Sequence, residues 1–299
     1  MAGETGPPPL SMPKAMLMAG FFAIAFYNTI EIFILIFSTF KKRRGRYFWS
    51  MVVAAIGIPT HAIAFLLRYY GLAPNLPMSA FTIVGWCFMV TGQSVVLWSR
   101  LHLVVHDPTR IRLVLVMIIT NACFLHIPES VIFVLCNMGN PEPYIFPFHI
   151  YERVEIVAFS VQESIISGLF LWEGFHSFKP VLFLRAAEGR SLLRQLVVLF
   201  LLNVLLDSSL IVLEYTNYFD IETTCKPFVY SVKLKAEFII LNRLRAFTRK
   251  TCGSRFLDSS PVHDVTNSKS TSSAMQTDRI AILSLEIGQT DVRGERIYT

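Results

Sequence analysis

Seven apolar stretches alternate with short polar segments along the chain, at residues 15–40, 48–70, 78–103, 111–135, 151–175, 192–213 and 228–245. Roughly 20 helical residues cross the ~30 Å hydrocarbon core of a bilayer, and each stretch is about that long or longer. The pattern predicts an all-α, polytopic membrane protein: a bundle of seven transmembrane helices. The last stretch, FVYSVKLKAEFIILNRLR, carries Lys233, Lys235 and Glu237 across its middle. One such charge at a helix centre disfavours insertion by about 2.5–3.5 kcal/mol. Three cannot all face lipid, so the other helices are expected to surround this one.

Composition agrees with that class. Of 299 residues, 53% are hydrophobic and only 16% charged, against about 25% charged in an ordinary soluble domain. Mean hydropathy is +0.51. The formal net charge of +6 does not imply nucleic-acid binding, because the basic residues sit between apolar stretches rather than on one face. The five cysteines form no C-x-x-C pair, which removes the zinc-ribbon and thioredoxin readings.

Basic residues set the expected orientation. The segments 41–46, 100–112 and 179–194, together with Arg243, Arg245, Arg249, Lys250 and Arg255, hold 17 of the Lys and Arg residues, among them Lys41, Lys42, Arg43, Arg44, Arg46 and, at the end of the third stretch, Arg100. The opposite side holds Lys14, Arg68, Arg153 and Lys226. The positive-inside rule then puts the N-terminus outside and the C-terminus in the cytosol. It also requires 228–245 to cross. Residues 1–14, rich in Pro and Gly, read as a disordered N-terminus; 15–250 as the membrane domain; 251–299 as a disordered Ser/Thr-rich cytosolic tail. The outer connections include 137–150, rich in Pro and aromatics, and the acidic 214–226.

Polar residues inside the spans are the candidate site, since an ionisable group in a membrane implies a partner and a purpose. Asn28 and Glu31 share one face of the first helix. The fifth carries Glu152, Glu155, Gln162 and Glu163 roughly in a stripe, and the sixth carries Asn203 and Asp207. On the seventh, Lys233 and Glu237 are one turn apart, with Lys235 turned about 200° from Lys233. Depth along the helices pairs Lys233 with Asp207 and Lys235 with Glu31, leaving Glu163 and Glu237 without an assigned basic partner. The cluster is either a polar clamp holding helices in register or a ligand or proton site.

Other signals are weaker. His126 and Glu129 flank Pro128, which should kink the fourth helix and loosen a turn able to line a cavity. His102 and His106 have a metal-compatible spacing without an evident third ligand. No metal, cofactor or catalytic residue is assigned, and the chain is not expected to be an enzyme. Cys136 and Cys225 fall near outer connections and are candidates for a disulfide. Cys252, after a basic juxtamembrane run, is a candidate for palmitoylation.

Four segments together resemble an uncharacterised fungal family of seven-helix integral membrane proteins with a domain of unknown function. They are NTIEIFILIF (28–37), GQSVVLWSRL (92–101), VQESIISGLFLWEG (161–174) and YSVKLKAEFIILNRLR (230–245). The resemblance covers residues from about 16 to 250. It implies the seven-helix fold and a fungal source, and carries over no ligand or catalytic residue. The topology is also similar in outline to G-protein-coupled receptors, but the motifs depart from theirs. Trp98 and Ser99 precede Arg100 where an acidic residue would stand, and 241–245 holds no Asn-Pro-x-x-Tyr.

The leading expectation is a receptor- or sensor-like protein with a small-molecule ligand and a cytosolic signalling partner at the inner loops. A proton-linked transporter using Glu31, Asp207, Lys233 and Lys235 is the alternative, although no inverted repeat is visible. A retinal protein with Lys233 or Lys235 as the Schiff-base lysine is a minor third. The partners expected are the lipid bilayer and no nucleic acid.

Overall fold

The computed structural model describes residues 12–40, 45–102, 104–105, 107–138, 142–184, 186–216 and 219–258, with the backbone alone described for 177–184, 186–189, 192 and 244–258. The described residues are helical apart from their connections. In order, α1 is Met12–Thr39, α2 Arg46–Tyr69, α3 Asn75–Leu101, α4 Pro108–Asn121, α5 Ile127–Cys136, α6 Glu142–Leu184, α7 Ala186–Tyr215 and α8 Phe219–Asp258. A π-helical turn, Ala122–His126, joins α4 and α5 into one rod. Pro128 follows that turn and has no N–H to donate backward, which accounts for the local widening. At the other end of the rod, Asp107 caps α4 by accepting from Thr109 N, with Pro108 in the first turn.

Among the described residues, six helices are long and apolar enough to cross a membrane: Met12–Thr39, Arg46–Tyr69, Asn75–Leu101, Pro108–Cys136, Glu142–His176 and Leu193–Tyr215. They correspond to the first six expected stretches. The seventh lies within α8, which packs against α1, α2, α3 and α7. Thus the most charged helix is also a central one.

The bundle is apolar outside and polar inside. Ile24, Ile34, Ile56, Ile63, Leu201, Leu205 and Trp172 are exposed, whereas Arg68, Arg100, Glu155, Glu163, Lys233 and Glu237 are buried. A soluble protein distributes these residue types the other way round. Lipid on the outside and paired charges within account for the inversion.

α2 and α3 approach most closely through glycine. A Cβ on Gly85 would lie 2.5 Å from the backbone nitrogen of His61, and one on Gly57 2.5 Å from that of Met89. Small residues let membrane helices meet backbone to backbone, where dispersion can act without a hydrophobic driving force. The turn between these helices uses Gly71 at φ 63°, a left-handed conformation that suits glycine.

Three expectations are corrected. The segment 137–150, read as an outer connection, is helical from Glu142, because Pro143 falls in the first turn of α6 where a missing N–H does no harm. The acidic connection 214–226 is also mostly helix, since α7 runs to Tyr215 and α8 starts at Phe219. No disulfide joins Cys136 to Cys225: each thiol is buried in a different hydrophobic cluster. Helical structure also begins at Met12 and continues to Asp258, slightly past both expected domain boundaries. The rest of the N-terminal segment, the tail 259–299 and the side chain of Cys252 lie outside the described residues.

Candidate functional site

The interior holds its polar groups in layers. At mid-bundle, Lys233 is fully buried. Its Nζ donates to Glu163 Oε2 on α6 at 2.8 Å and to Asp207 on α7, and it lies 5.0 Å from the centroid of the Tyr230 ring one turn earlier. One ammonium therefore ties three helices together. Asp207 was the expected partner; Glu163, which had none assigned, is the second.

Lys235 points toward α1. Its Nζ donates to Glu31 Oε2 at 2.6 Å and to Asn28 Oδ1 at 3.4 Å, and Asn28 Nδ2 donates back to Ser231 Oγ at 3.1 Å. Both ionic side chains are partly exposed, 26% for Lys235 and 36% for Glu31, so this pair is screened and contributes roughly 1 kcal/mol or less. Reversing either charge alone is expected to lower expression modestly, and the double swap, Glu31→Lys with Lys235→Glu, to restore it. A swap no better than the single reversals would show that the contact does not hold α1 to α8.

Toward the basic end of the bundle, Glu237 forms an ion pair with Arg100 of α3 and accepts from Asn203 Nδ2 of α7 at 3.0 Å. The guanidinium also stacks 4.4 Å from the Phe170 ring centroid on α6. Arg100 had been counted among the loop cations. It is instead a buried partner, because α3 carries it to the bundle interior before ending at Leu101.

Toward the opposite end, Lys226 donates to Glu152 Oε1 at 2.9 Å and lies 2.8 Å from Glu222 Oε1, one turn away on α8. Its ammonium is also 4.6 Å from the Trp86 ring centroid. Glu222 precedes the expected span 228–245; burial pushes its carboxyl up to about 8, with Lys226 pulling it down. Arg153 approaches Glu214 at 3.5 Å. Between this layer and mid-bundle, His126 Nδ1 is 2.7 Å from Glu155 Oε1, and Trp86 Nε1 donates to both Glu155 oxygens. Gln162 links Asn121 and Ser94 across α4, α6 and α3.

A cavity of about 40 Å³ opens among these groups. His61, Trp86, Glu129, Glu152 and Lys226 line it together with Phe133. That is room for roughly two or three water molecules, well below the hundreds of Å³ that a drug-sized ligand occupies. Its walls come from α2, α3, α5, α6 and α8, all at the end away from the basic connections.

The structure thus brings Asn28, Glu31 and Lys235 together, then Glu163, Asp207 and Lys233, then Asn203 and Glu237. Sequence reading missed Arg100 and Lys226, which it had placed in loops. Only Lys226 left a signal, its i, i+4 spacing from Glu222. His106 lies outside the described residues. The His102 ring packs edge-on against Trp98, with centroids 4.8 Å apart, and no three-ligand group among the described residues includes it.

Apolar helices around a buried, paired charge core define a helical membrane protein. The family model for a domain of unknown function, DUF7703, matches residues 5–257, and the chain belongs to that family. No curated protein and no solved structure matches the chain.

Proposed function

We propose that the chain crosses the membrane seven times, with 228–245 as the last span, the N-terminus outside and the C-terminus cytosolic. In this reading it is a sensor-like protein that takes a small charged solute from the outer side. The carrying observation is the cavity at the end away from the basic loops, where His61, Trp86, Glu129, Glu152 and Lys226 converge from five helices. Its size favours a proton, an ion or a few waters over an organic ligand. Lys233 and Lys235 line neither this cavity nor the two smaller ones near Glu237 and Met18, which leaves a retinal chromophore without support.

A second reading, a proton-linked carrier, has its own observation. Buried carboxylates recur along the bundle, from Glu222 and Glu152 through Glu129, Glu155, Glu163 and Asp207 to Glu237. Such rows accompany proton relays.

Reconstituted liposomes separate the two. A fluorophore on Arg243→Cys would report changes at the cytosolic end, and a trapped dye would report internal pH. An acid step or added Zn²⁺ on the outer side is expected to change the fluorophore signal without moving the trapped dye. Dye movement dependent on the protein would favour the carrier. Silence in both channels would contradict both readings.

A further inference from the structure

We infer that His126, Glu129 and Glu155 form a binding site for one divalent transition-metal cation beside the outer cavity. The inference deepens the sensor reading by naming the class of solute, and it relies on that reading for access from outside.

Potential donor atoms of these three residues all lie within 4.8 Å of one another. The π turn ends at His126, and Glu129 follows three residues later, so both reach α6 from one side of the rod. Glu155 meets them there. All three are buried, at 6%, 8% and 0% exposure.

Charge makes the cluster incomplete. Glu129 and Glu155 each place a carboxylate oxygen within 4.8 Å of the other, and two carboxyl groups so close need a proton or a cation between them. Among the described residues, no lysine or arginine forms an ion pair with either. Lys226 is engaged with Glu152 and Glu222. Two atoms are also left over. Glu129 Oε2 has no hydrogen-bond partner and its side chain lines the cavity. His126 Nδ1 faces Glu155 Oε1 but is off the line of a hydrogen bond.

The surrounding groups orient the donors as a metal site requires. Thr91 Oγ1 lies 3.0 Å from His126 Nε2. With Nε2–H donating to it, the lone pair sits on Nδ1, toward the carboxylates. Trp86 Nε1 donates to the Glu155 oxygens at 3.1 and 3.0 Å. Such outer hydrogen bonds fix tautomer and carboxylate angle at metal centres. One imidazole and two carboxylates suit zinc, manganese or ferrous iron. Three protein donors leave a further position for water, which the cavity can supply.

A second trio, His149, Glu152 and Glu214, has the same donor types. There Lys226 already neutralises Glu152, and Arg153 lies near Glu214. No vacancy of charge remains.

The test uses purified full-length protein in lipid nanodiscs with Zn²⁺ as the probe. Elemental analysis after dialysis is expected to find about one zinc per chain, and Zn²⁺ is expected to raise the Tm. Glu129→Gln and Glu155→Gln should each weaken zinc binding at least tenfold, while Glu173→Gln, on the exposed ion pair with Arg110, should not. If the glutamine variants fail to fold, Co²⁺ added to the wild-type chain should give a visible ligand-field band that Zn²⁺ abolishes. No zinc, no Co²⁺ band, or equal binding in Glu129→Gln would overturn the inference and leave a shared proton between the carboxylates. The liposome response to acid separates this failure from that of the sensor reading. A response to acid without zinc binding removes only the metal; zinc binding with neither signal keeps the metal site and removes the sensor and carrier readings.

Discussion

Lys233→Met is expected to abolish recovery of folded protein. The substitution keeps the bulk of the side chain and removes its charge. Glu163 and Asp207 then face each other inside the bundle without the ammonium that both accept from. Removing one partner of a buried ion pair costs about 3–5 kcal/mol, a large fraction of the roughly 5–15 kcal/mol that holds a typical fold. Adding Glu163→Gln and Asp207→Asn to Lys233→Met should restore much of the loss, because a neutral cluster leaves no stranded charge. Detergent gel filtration and thermal unfolding read the outcome. The comparison also separates the two roles that the sequence left open for this cluster. A clamp makes Lys233→Met fail to fold. A ligand or proton site leaves it folded at wild-type Tm and without response in liposomes.

Arg100→Leu is expected to be nearly as damaging. Glu237 would keep the amide of Asn203 but lose its cation in a position with almost no solvent contact. The same 3–5 kcal/mol range applies, to which the lost stacking of the guanidinium on Phe170 adds about 1–2 kcal/mol for a desolvated site. Glu237→Gln in the Arg100→Leu background should recover most of the stability. If Arg100→Leu alone unfolds at the wild-type temperature, Arg100 is a boundary cation, as its place at the end of an apolar stretch first suggested. Unlike the partly exposed Lys235 and Glu31 pair, neither of these buried clusters should be softened by high salt, since ions screen solvent-facing charges far more than buried ones.

Much of the architecture was legible because membranes impose a simple rule on length and polarity. Six helices declare themselves by long, predominantly apolar runs. The central helix announces itself differently, through charges that only a surrounding bundle can accommodate. The partners of Lys233 and Lys235 were readable from depth because α8 lies beside α7 and α1. Arg100 was not, since an arginine at the end of an apolar stretch reads as a cytosolic anchor, and only the path of α3 reveals that it turns inward. The proximity of Glu155 to His126 and Glu129 was hidden for another reason: it depends on how α5 packs on α6. Pro128 nonetheless marked the place. The helical extensions at 142–150 and 219–226 were obscured by Pro and acidic residues, which favour loops in isolation but also suit first helical turns.

The central claim is that the charged segment of α8 is a membrane span enclosed by the others. Attaching topology reporters to 41–46 and to 249–255 tests it most directly. Both are expected on the cytosolic side, with a third reporter at 139–141 on the opposite side. Reporters at 41–46 and 249–255 on opposite faces of the membrane would contradict it.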